Sequence, residues 1–344
     1  MSKQVIVRNV AIGGGASITI QSMTNVSVTD VQATAKQISR LIDAGCDIVR
    51  IAVPNQQSVE AFRQIRGMFN IPLVADIHFD YRLALGSILA GADKIRINPG
   101  NMQKQHLLQV IQCAKQHNVA IRVGVNSGSV NKETLERCGG NKAVALVESL
   151  KEYLQIFQQQ NFHNVVLSVK STDVRETVAI NKAVAKLGYP MHLGVTEAGL
   201  LQQGIVKNSV GIGALLLDGI GDTIRVSLTS DPVDEVLVAK DLLVSLGLKD
   251  GVTFVSCPKC GRCSIDLETM AKRVHAYVAN IKKPLKIAVM GCEVNGPGEC
   301  KDADLGLAGS NGKFVFFKQG KIYKTVPQET AFEEFTKEID KLAK

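Results

Sequence analysis

Tryptophan is absent from this chain and aromatic residues make up only 5% of it. Proteins that stack on bases need aromatic platforms interleaved with basic residues. Here the cations are spread along the chain, so Lys+Arg 40 against Asp+Glu 32, a net +8, reads mainly as solvated basic surface. Part of that surplus is available to a pocket for an anionic substrate, and no nucleic-acid partner is expected. No uninterrupted apolar run of about 18 residues occurs, so no membrane-spanning helix is expected. The opening stretch MSKQVIVRNVAIGGG lacks an apolar core followed by a small-residue cleavage site, so no export signal is read. A cytoplasmic, reducing setting follows, in which clustered cysteines bind metal or do chemistry more often than they pair. IGGGAS (12–17) lacks the Lys-[Ser/Thr] of a phosphate-binding P-loop and reads as a turn.

What is present is alternation. β-Rich runs at 18–23, 47–53, 71–76, 93–98, 120–125, 164–169, 191–195 and 223–228 are separated by segments of helical period, such as Thr29–Ala44, Gln103–Gln116 and Ala143–Gln159. Eight strand–helix units in so short a span fit a closed (β/α)8 TIM barrel better than an open sheet. The alternation predicts a barrel over 1–248. A small α+β unit over 249–344 follows, with a helix near 267–280, a strand at 286–290, a hairpin turning at Gln319–Gly320 and a last helix over 328–343.

In such a barrel the C-terminal strand ends carry the active site. The residues predicted there are Arg50, Asp76, His78, Arg96, Asn98, Arg122, Asn126, Lys170, Glu197, Arg225 and Ser227. Four arginines in strands buried on both faces are costly unless paired. Together with Lys170 they would repel one another around an empty site, and a bound polyanion removes that repulsion. The guanidinium fork also suits phosphate oxygens. Asp76 and Glu197 are the carboxylates at these strand ends; either would hold cations apart or move a proton, with Glu197 preferred as the acid. His78 reads as structural.

SCPKCGRCSID (256–266) and MGCEVNGPGEC (290–300) hold five cysteines. C-x2-C alone suits zinc, but a second knuckle is missing. C-x2-C-x2-C resembles the start of a ferredoxin run, but position 267 is Leu where a fourth Cys would stand. Neither motif is closed within its own segment. A zinc-stapled barrel acting on a phosphorylated small molecule therefore stays open beside an iron–sulfur enzyme.

Taken in order, QSMTN (21–25), CDIVRIAVP (46–54), KIRINPGN (94–101), IRVGVNSGS (121–129), GVTEAG (194–199), GIGDTIRVSLT (219–229), SCPKCGR (256–262) and GCEVNGPGE (291–299) resemble the 4-hydroxy-3-methylbut-2-enyl diphosphate synthase family of the methylerythritol phosphate isoprenoid pathway. The resemblance covers nearly the whole chain, in its short two-domain form. It implies a [4Fe–4S] cluster on Cys257, Cys260, Cys292 and Glu299. It further implies two-electron reductive ring opening of 2-C-methyl-D-erythritol 2,4-cyclodiphosphate, with electrons from flavodoxin or ferredoxin. The substrate residues it implies are Arg50, Arg96, Asn98, Arg122, Asn126, Lys170, Arg225 and Ser227, and its proposed acid falls on Glu197. A carboxylate is a weaker partner for a soft cluster iron than a thiolate, so Glu299 is expected to give way to a substrate oxygen. The resemblance also implies a head-to-tail homodimer with the active site shared between chains. Cys263 and Cys300 depart from the pattern.

Overall fold

The structure is a computed structural model that describes residues 2–126, 132–294, 296, 298 and 300–344, with the side chains of Asn126 and Lys132 outside the description. The chain divides into two compact units, Met1–Leu246 and Gly247–Lys344.

The first unit opens with an antiparallel hairpin, β1 (Val5–Val7) and β2 (Val10–Ile12), which the sequence reading did not anticipate. Then come the barrel strands β3 (Thr19–Met23), β4 (Ile48–Ala52), β5 (Leu73–Asp76), β6 (Lys94–Ile97), β7 (Ala120–Asn126), β8 (Val165–Lys170), β9 (His192–Leu193) and β10 (Thr223–Ile224). They form one parallel sheet in the order β8-β7-β6-β5-β4-β3-β10-β9. A bridge from Leu167 to Met191 brings β8 against the start of β9 and nearly closes the barrel. The last two strands are shorter than the sequence suggested. Their expected C-terminal halves run on as irregular backbone toward the site.

Helices α1 (Val31–Ala44), α2 (Gln56–Met68), α3 (Tyr81–Leu89), α4 (Lys104–Gln116), α5 (Lys132–Arg137), α6 (Lys142–Gln159), α7 (Val174–Ala185), α8 (Leu201–Leu217) and α9 (Pro232–Ser245) lie between or after the strands. Their starts are written in the sequence. Asp30, Asn55, Asp80, Asn141, Asp173 and Asp231 each accept a backbone N–H of the first turn. On α1 the buried residues Thr34, Gln37, Ile38 and Leu41 fall at helical spacing, and Gly45, at φ 100°, ends the helix in a left-handed turn.

The hairpin plugs the barrel. Val5, Val7 and Ile12 pack with Ile48, Val74, Ala120 and Val166, the first inward residues of β4, β5, β7 and β8. Gly13, Gly14 and Gly15 all take positive φ just after it, so IGGGAS is the turn its composition implied, far from the strand C-termini.

In the second unit β11 (Val252–Ser256), β12 (Leu285–Met290) and β13 (Leu305–Ser310) run parallel, and β14 (Lys313–Lys318) and β15 (Lys321–Pro327) complete the sheet antiparallel. β11 and β13 were not foreseen. The hairpin was: Gln319 and Gly320 both take left-handed φ, as a two-residue turn requires. Helices α10 (Leu267–Val278) and α11 (Gln328–Ala343) pack on one face. There Phe316 and Phe335, both fully buried, meet edge to face at 5.2 Å. Burial of each contributes about 1.5–3 kcal/mol.

Candidate active site

Strand register brings the cations together. Asp76 pairs with Arg96 and Arg96 with Arg122 across neighbouring strands, while Met23 pairs with Arg50 and Arg50 with Val74, two residues before Asp76. Above them opens a cavity of about 240 Å3 lined by Arg50, Asp76, His78, Arg96, Arg122, Lys170, Thr196, Arg225 and Ser227. The arginines predicted from the four β-rich segments therefore converge, with Lys170, on the C-terminal mouth. A second cleft of about 310 Å3 near Ser2, Tyr189 and Asp222 lies at the opposite end. The Asp222 carboxylate there already accepts from Ser2 Oγ and Met191 N, both at 2.7 Å.

Among the described residues two carboxylates touch these cations. Asp76 accepts from Arg96 Nη1 at 3.2 Å and lies 3.2 Å from His78 Nε2. Glu235, from the first turn of α9, accepts from Arg225 Nε and Nη2, both at 3.2 Å, from Ser22 Oγ at 3.0 Å and from Leu228 N at 3.1 Å. Arg50 is 8% exposed and makes its contacts to a soft acceptor, with Nε and Nη2 at 3.1 and 2.9 Å from Met23 Sδ. Arg122 is 3% exposed, and among the described residues its Nε and Nη1 have no acceptor; nor has Arg96 Nε. Among the described residues five cations thus meet two carboxylates, and buried N–H groups are left without an acceptor.

The electrostatics follow. Burial, reinforced by neighbouring guanidinium groups and offset in part by Asp76, lowers Arg50 to about 10. Burial and neighbouring guanidinium groups also depress Arg122 and Lys170 strongly, offset in part by Asp76 at Arg122 and by Glu235 at Lys170. Burial alone would raise the Asp76 carboxyl, but Arg50, the His78 hydrogen bond, Arg96 and Arg122 outweigh it and hold the group well below the usual range. Asp76 is therefore a fixed carboxylate that organises Arg96 and His78. The alternative expectation, that Asp76 protonates substrate, does not fit this setting.

Space for the cations depends on two glycines. A Cβ at Gly194 would lie 2.4 Å from Lys170 Nζ and 2.6 Å from the Arg225 carbonyl oxygen. One at Gly124 would lie 3.1 Å from Arg96 Nε. Neither glycine, nor Glu235, Met23 or Thr196, was picked out from sequence. Glu235 was hidden because an acidic residue after Asp231 and Pro232 reads as ordinary helix-start chemistry.

Other predicted residues lie elsewhere. Asn98 is buried, and its Oδ1 accepts from Gly100 N at 3.2 Å, capping a short turn rather than lining the cavity. Glu197 is exposed, one residue past the lining Thr196, with a left-handed φ of 52°. A non-glycine held there stores backbone strain. The side chain of Asn126 and the whole of Glu299 fall outside the described residues. His78, read from sequence as structural, lines the cavity.

In the second unit, β11 and β12 are parallel with Ser256 beside Val289, so Cys257 and Cys292 leave the same end of the sheet. Gly291 N donates to Cys257 Sγ at 3.1 Å, and a Cβ on Gly291 would lie 3.0 Å from Cys263 Sγ. Cys260 is exposed and Cys292 is 8% exposed. Cys300 is buried and its thiol points to Met290 Sδ at 3.8 Å. Among the described residues no disulfide forms, and no three possible metal ligands are gathered into one group. The donor set nonetheless suits soft iron: several thiols rise from one sheet end, and a backbone N–H is already aimed at a sulfur.

A (β/α)8 barrel with a cationic mouth, followed by a small α+β unit bearing cysteines, defines a class of two-unit enzyme acting on a small anionic substrate. The comparisons make this particular. The GcpE TIM-barrel domain matches residues 2–240 and the GcpE protein C-terminal domain matches residues 253–341. The 4-hydroxy-3-methylbut-2-en-1-yl diphosphate synthase (flavodoxin) of Caldanaerobacter subterraneus subsp. tengcongensis is 50% identical over 347 residues, covering 100% of this chain and 98% of that protein. That of Geobacillus kaustophilus is 49% identical, covering 99% and 92%. The chain belongs to this family, the 4-hydroxy-3-methylbut-2-en-1-yl diphosphate synthases, which are oxidoreductases of isoprenoid precursor biosynthesis. Among solved structures, dihydropteroate synthase from Stenotrophomonas maltophilia superposes with a TM-score of 0.52 at 14% identity, covering 70% of this chain and 96% of that one. At that identity the likeness concerns the barrel fold alone.

Proposed function

We propose that the barrel mouth binds 2-C-methyl-D-erythritol 2,4-cyclodiphosphate through Arg50, Arg96, Arg122, Lys170, Arg225 and Ser227, with Asn126 completing the rim and Asn98 shaping the turn beside it rather than touching substrate. The observation that carries this reading is the set of buried, acceptor-less N–H groups on Arg122 and Arg96 in a cavity with more cations than carboxylates. A small diphosphate supplies both the missing acceptors and the missing negative charge. Asp76 keeps Arg96 and His78 in place. Ring opening with loss of the C3 hydroxyl as water consumes two electrons and a proton. Glu197, four residues past β9, is the group we assign to deliver that proton.

Residues 1–248 act as the substrate domain and 249–344 as the cluster domain. Cys257, Cys260, Cys292 and Glu299 would hold a [4Fe–4S] cluster, which when bound supplies electrons to the substrate one at a time. Flavodoxin, the carrier in the printed names of the relatives, is the donor we assign, with ferredoxin as the substitute. The enzyme works in the cytoplasm as a head-to-tail homodimer, the barrel of one chain facing the cluster domain of the other. Anaerobic turnover of the cyclodiphosphate with reduced flavodoxin tests the reading. Formation of the linear diphosphate by protein carrying about four irons per chain supports it. Full activity in a colourless, zinc-bound protein would sink it.

A further inference from the structure

Beneath the cationic mouth lies a second, sealed level of the barrel interior. Lys94, the first residue of β6, has 0% exposure, and its ammonium donates to Gln21 Oε1 of β3 at 3.1 Å. Among the described residues it has no carboxylate within ion-pairing distance. Lys94 pairs in register with Val74 on β5, where Asp76 stands one level higher, and with Ala120 on β7. The charged groups acting on it are Arg122 from β7 and Arg50 from β4. Across the interior, His192 of β9 is also fully buried, and neither ring nitrogen has a partner among the described residues. Burial, with Lys170, Arg122, Lys94 and Arg50 around it, keeps that imidazole neutral.

A lone ammonium sealed under guanidinium groups, with one neutral acceptor, is poorly compensated. Burial first, then Arg122 and Arg50, lower Lys94 to about 7. A negative charge arriving at the mouth acts on the same group with the opposite sign. At roughly 10 Å and an effective dielectric constant near 20, each unit of negative charge raises an amine by about one pH unit.

We propose that Lys94 is the proton-accepting counter-charge of this site: the buried amine takes up a proton from solvent as the anionic substrate seats in the mouth, and gives it back when the site empties. The inference rests on the reading of the mouth as a diphosphate site. The step is R–NH2 + H+ → R–NH3+, with no other bond made or broken. Thr19 Oγ1, Gln21 Nε2 and the His192 nitrogens, which have no partner among the described residues, are the polar groups that a proton-relaying water would bond. Lys94 thus lies apart from the cations that line the mouth, and Lys170, also depressed by burial, is the competing proton acceptor that the test must separate from it.

The test is calorimetric titration of the anaerobic holoenzyme, without reductant, with 2-C-methyl-D-erythritol 2,4-cyclodiphosphate in HEPES and in Tris, buffers of different ionisation heat. Wild type is expected to take up roughly half a proton or more per site at pH 8, and its affinity should fall by up to about tenfold per pH unit above neutrality. Lys94→Met should abolish the uptake and flatten that dependence. His78→Asn and Lys170→Met check the other titratable groups facing the same space. Uptake that survives Lys94→Met but vanishes in either of these overturns the inference, as does binding with no uptake. Absence of binding by wild type overturns the diphosphate reading as well, so the two failures are distinguishable. Should Lys94→Met not fold, wild type labelled with 13C at lysine Cε decides: one lysine resonance should titrate near neutrality in the empty enzyme and higher in the complex, and its absence counts against the proposal.

Discussion

Glu235 holds Arg225 by a two-pronged pair, with Nε and Nη2 each 3.2 Å from a carboxylate oxygen, while the same carboxylate takes Ser22 Oγ and Leu228 N. One side chain on α9 thereby ties β3, the segment after β10 and a cation of the mouth. Glu235→Ala leaves a partly buried guanidinium uncompensated and should cost up to about 3 kcal/mol of stability. Glu235→Gln, which retains one acceptor, should cost less. Thermal unfolding of both variants checks this; equal, negligible losses would mean the pair organises nothing.

Arg122 should show opposite effects on stability and on binding. It is buried among Arg50, Arg96 and Arg225 with donors unused, so in the empty protein it is a source of repulsion. Arg122→Met should raise the melting temperature of the substrate-free enzyme by a few degrees. Against the cyclodiphosphate it should weaken binding by about 10- to 100-fold, the range for lost charge-assisted hydrogen bonds. Iron content should not change. A loss of iron, or of stability, would place this arginine in a structural role instead.

Gly194→Ala asks whether the shape of the mouth depends on a missing methyl group. The added carbon would overlap Lys170 Nζ and the Arg225 carbonyl oxygen, and the backbone oxygen has little freedom to retreat. Lys170 should be displaced and KM should rise at least about tenfold, with a smaller change in kcat. Normal kinetics in a folded Gly194→Ala enzyme would show that Lys170 does not set substrate position.

These residues mark the boundary of what the sequence makes legible. The barrel is readable because period and caps agree: β-branched runs alternate with segments whose first turns carry Asp or Asn. The arginines are readable because an Arg between aliphatic residues of a central strand needs a reason to be there. Glu235 and Gly194 are not readable, because a helix-start acid and a glycine in a loop each have an ordinary local explanation. Their roles appear only when β10, α9 and the end of β9 are brought together. Asn98 shows the converse. It has the residue type and the strand-end position of a ligand group, yet its side chain is spent on Gly100 N. The N-terminal hairpin was missed because strands of three residues are too short to show a period.

The cysteines sort by position as well as by spacing. Cys257 Sγ already accepts from Gly291 N, an arrangement that favours a thiolate ligand. Cys263 instead donates to Ile265 O at 3.3 Å, which ties up its hydrogen in a local turn. Cys257→Ser should lose the bound iron and all turnover. Cys263→Ser should keep both. Anaerobic iron analysis and visible absorption of the two variants decide the matter, and the reverse pattern would mean that the ligand assignment is wrong.

The pH dependence of stability gives the last prediction. Burial, with Arg122 and Arg50, lowers Lys94 from its usual 10.5 to about 7 in the folded chain. Between those values the unfolded chain binds the extra proton, so the contribution of Lys94 to stability rises as pH rises through that window. Below about 7 both states are protonated and the full penalty applies, on the order of 3 to 5 kcal/mol for a shift of this size. Lys94→Met removes the penalty while keeping most of the buried volume, and offsets it in part by losing the bond to Gln21. The difference in unfolding free energy between variant and wild type should therefore favour the variant at pH 7 and shrink toward pH 10. Denaturant titrations of the substrate-free proteins across that range measure the difference. Saturating cyclodiphosphate should narrow the window from below, because the anion restores the amine toward its ordinary range and the wild-type penalty with it diminishes. A pH-independent difference would mean that Lys94 keeps its proton throughout, and that the sealed level beneath the mouth is charged whether or not the site is filled.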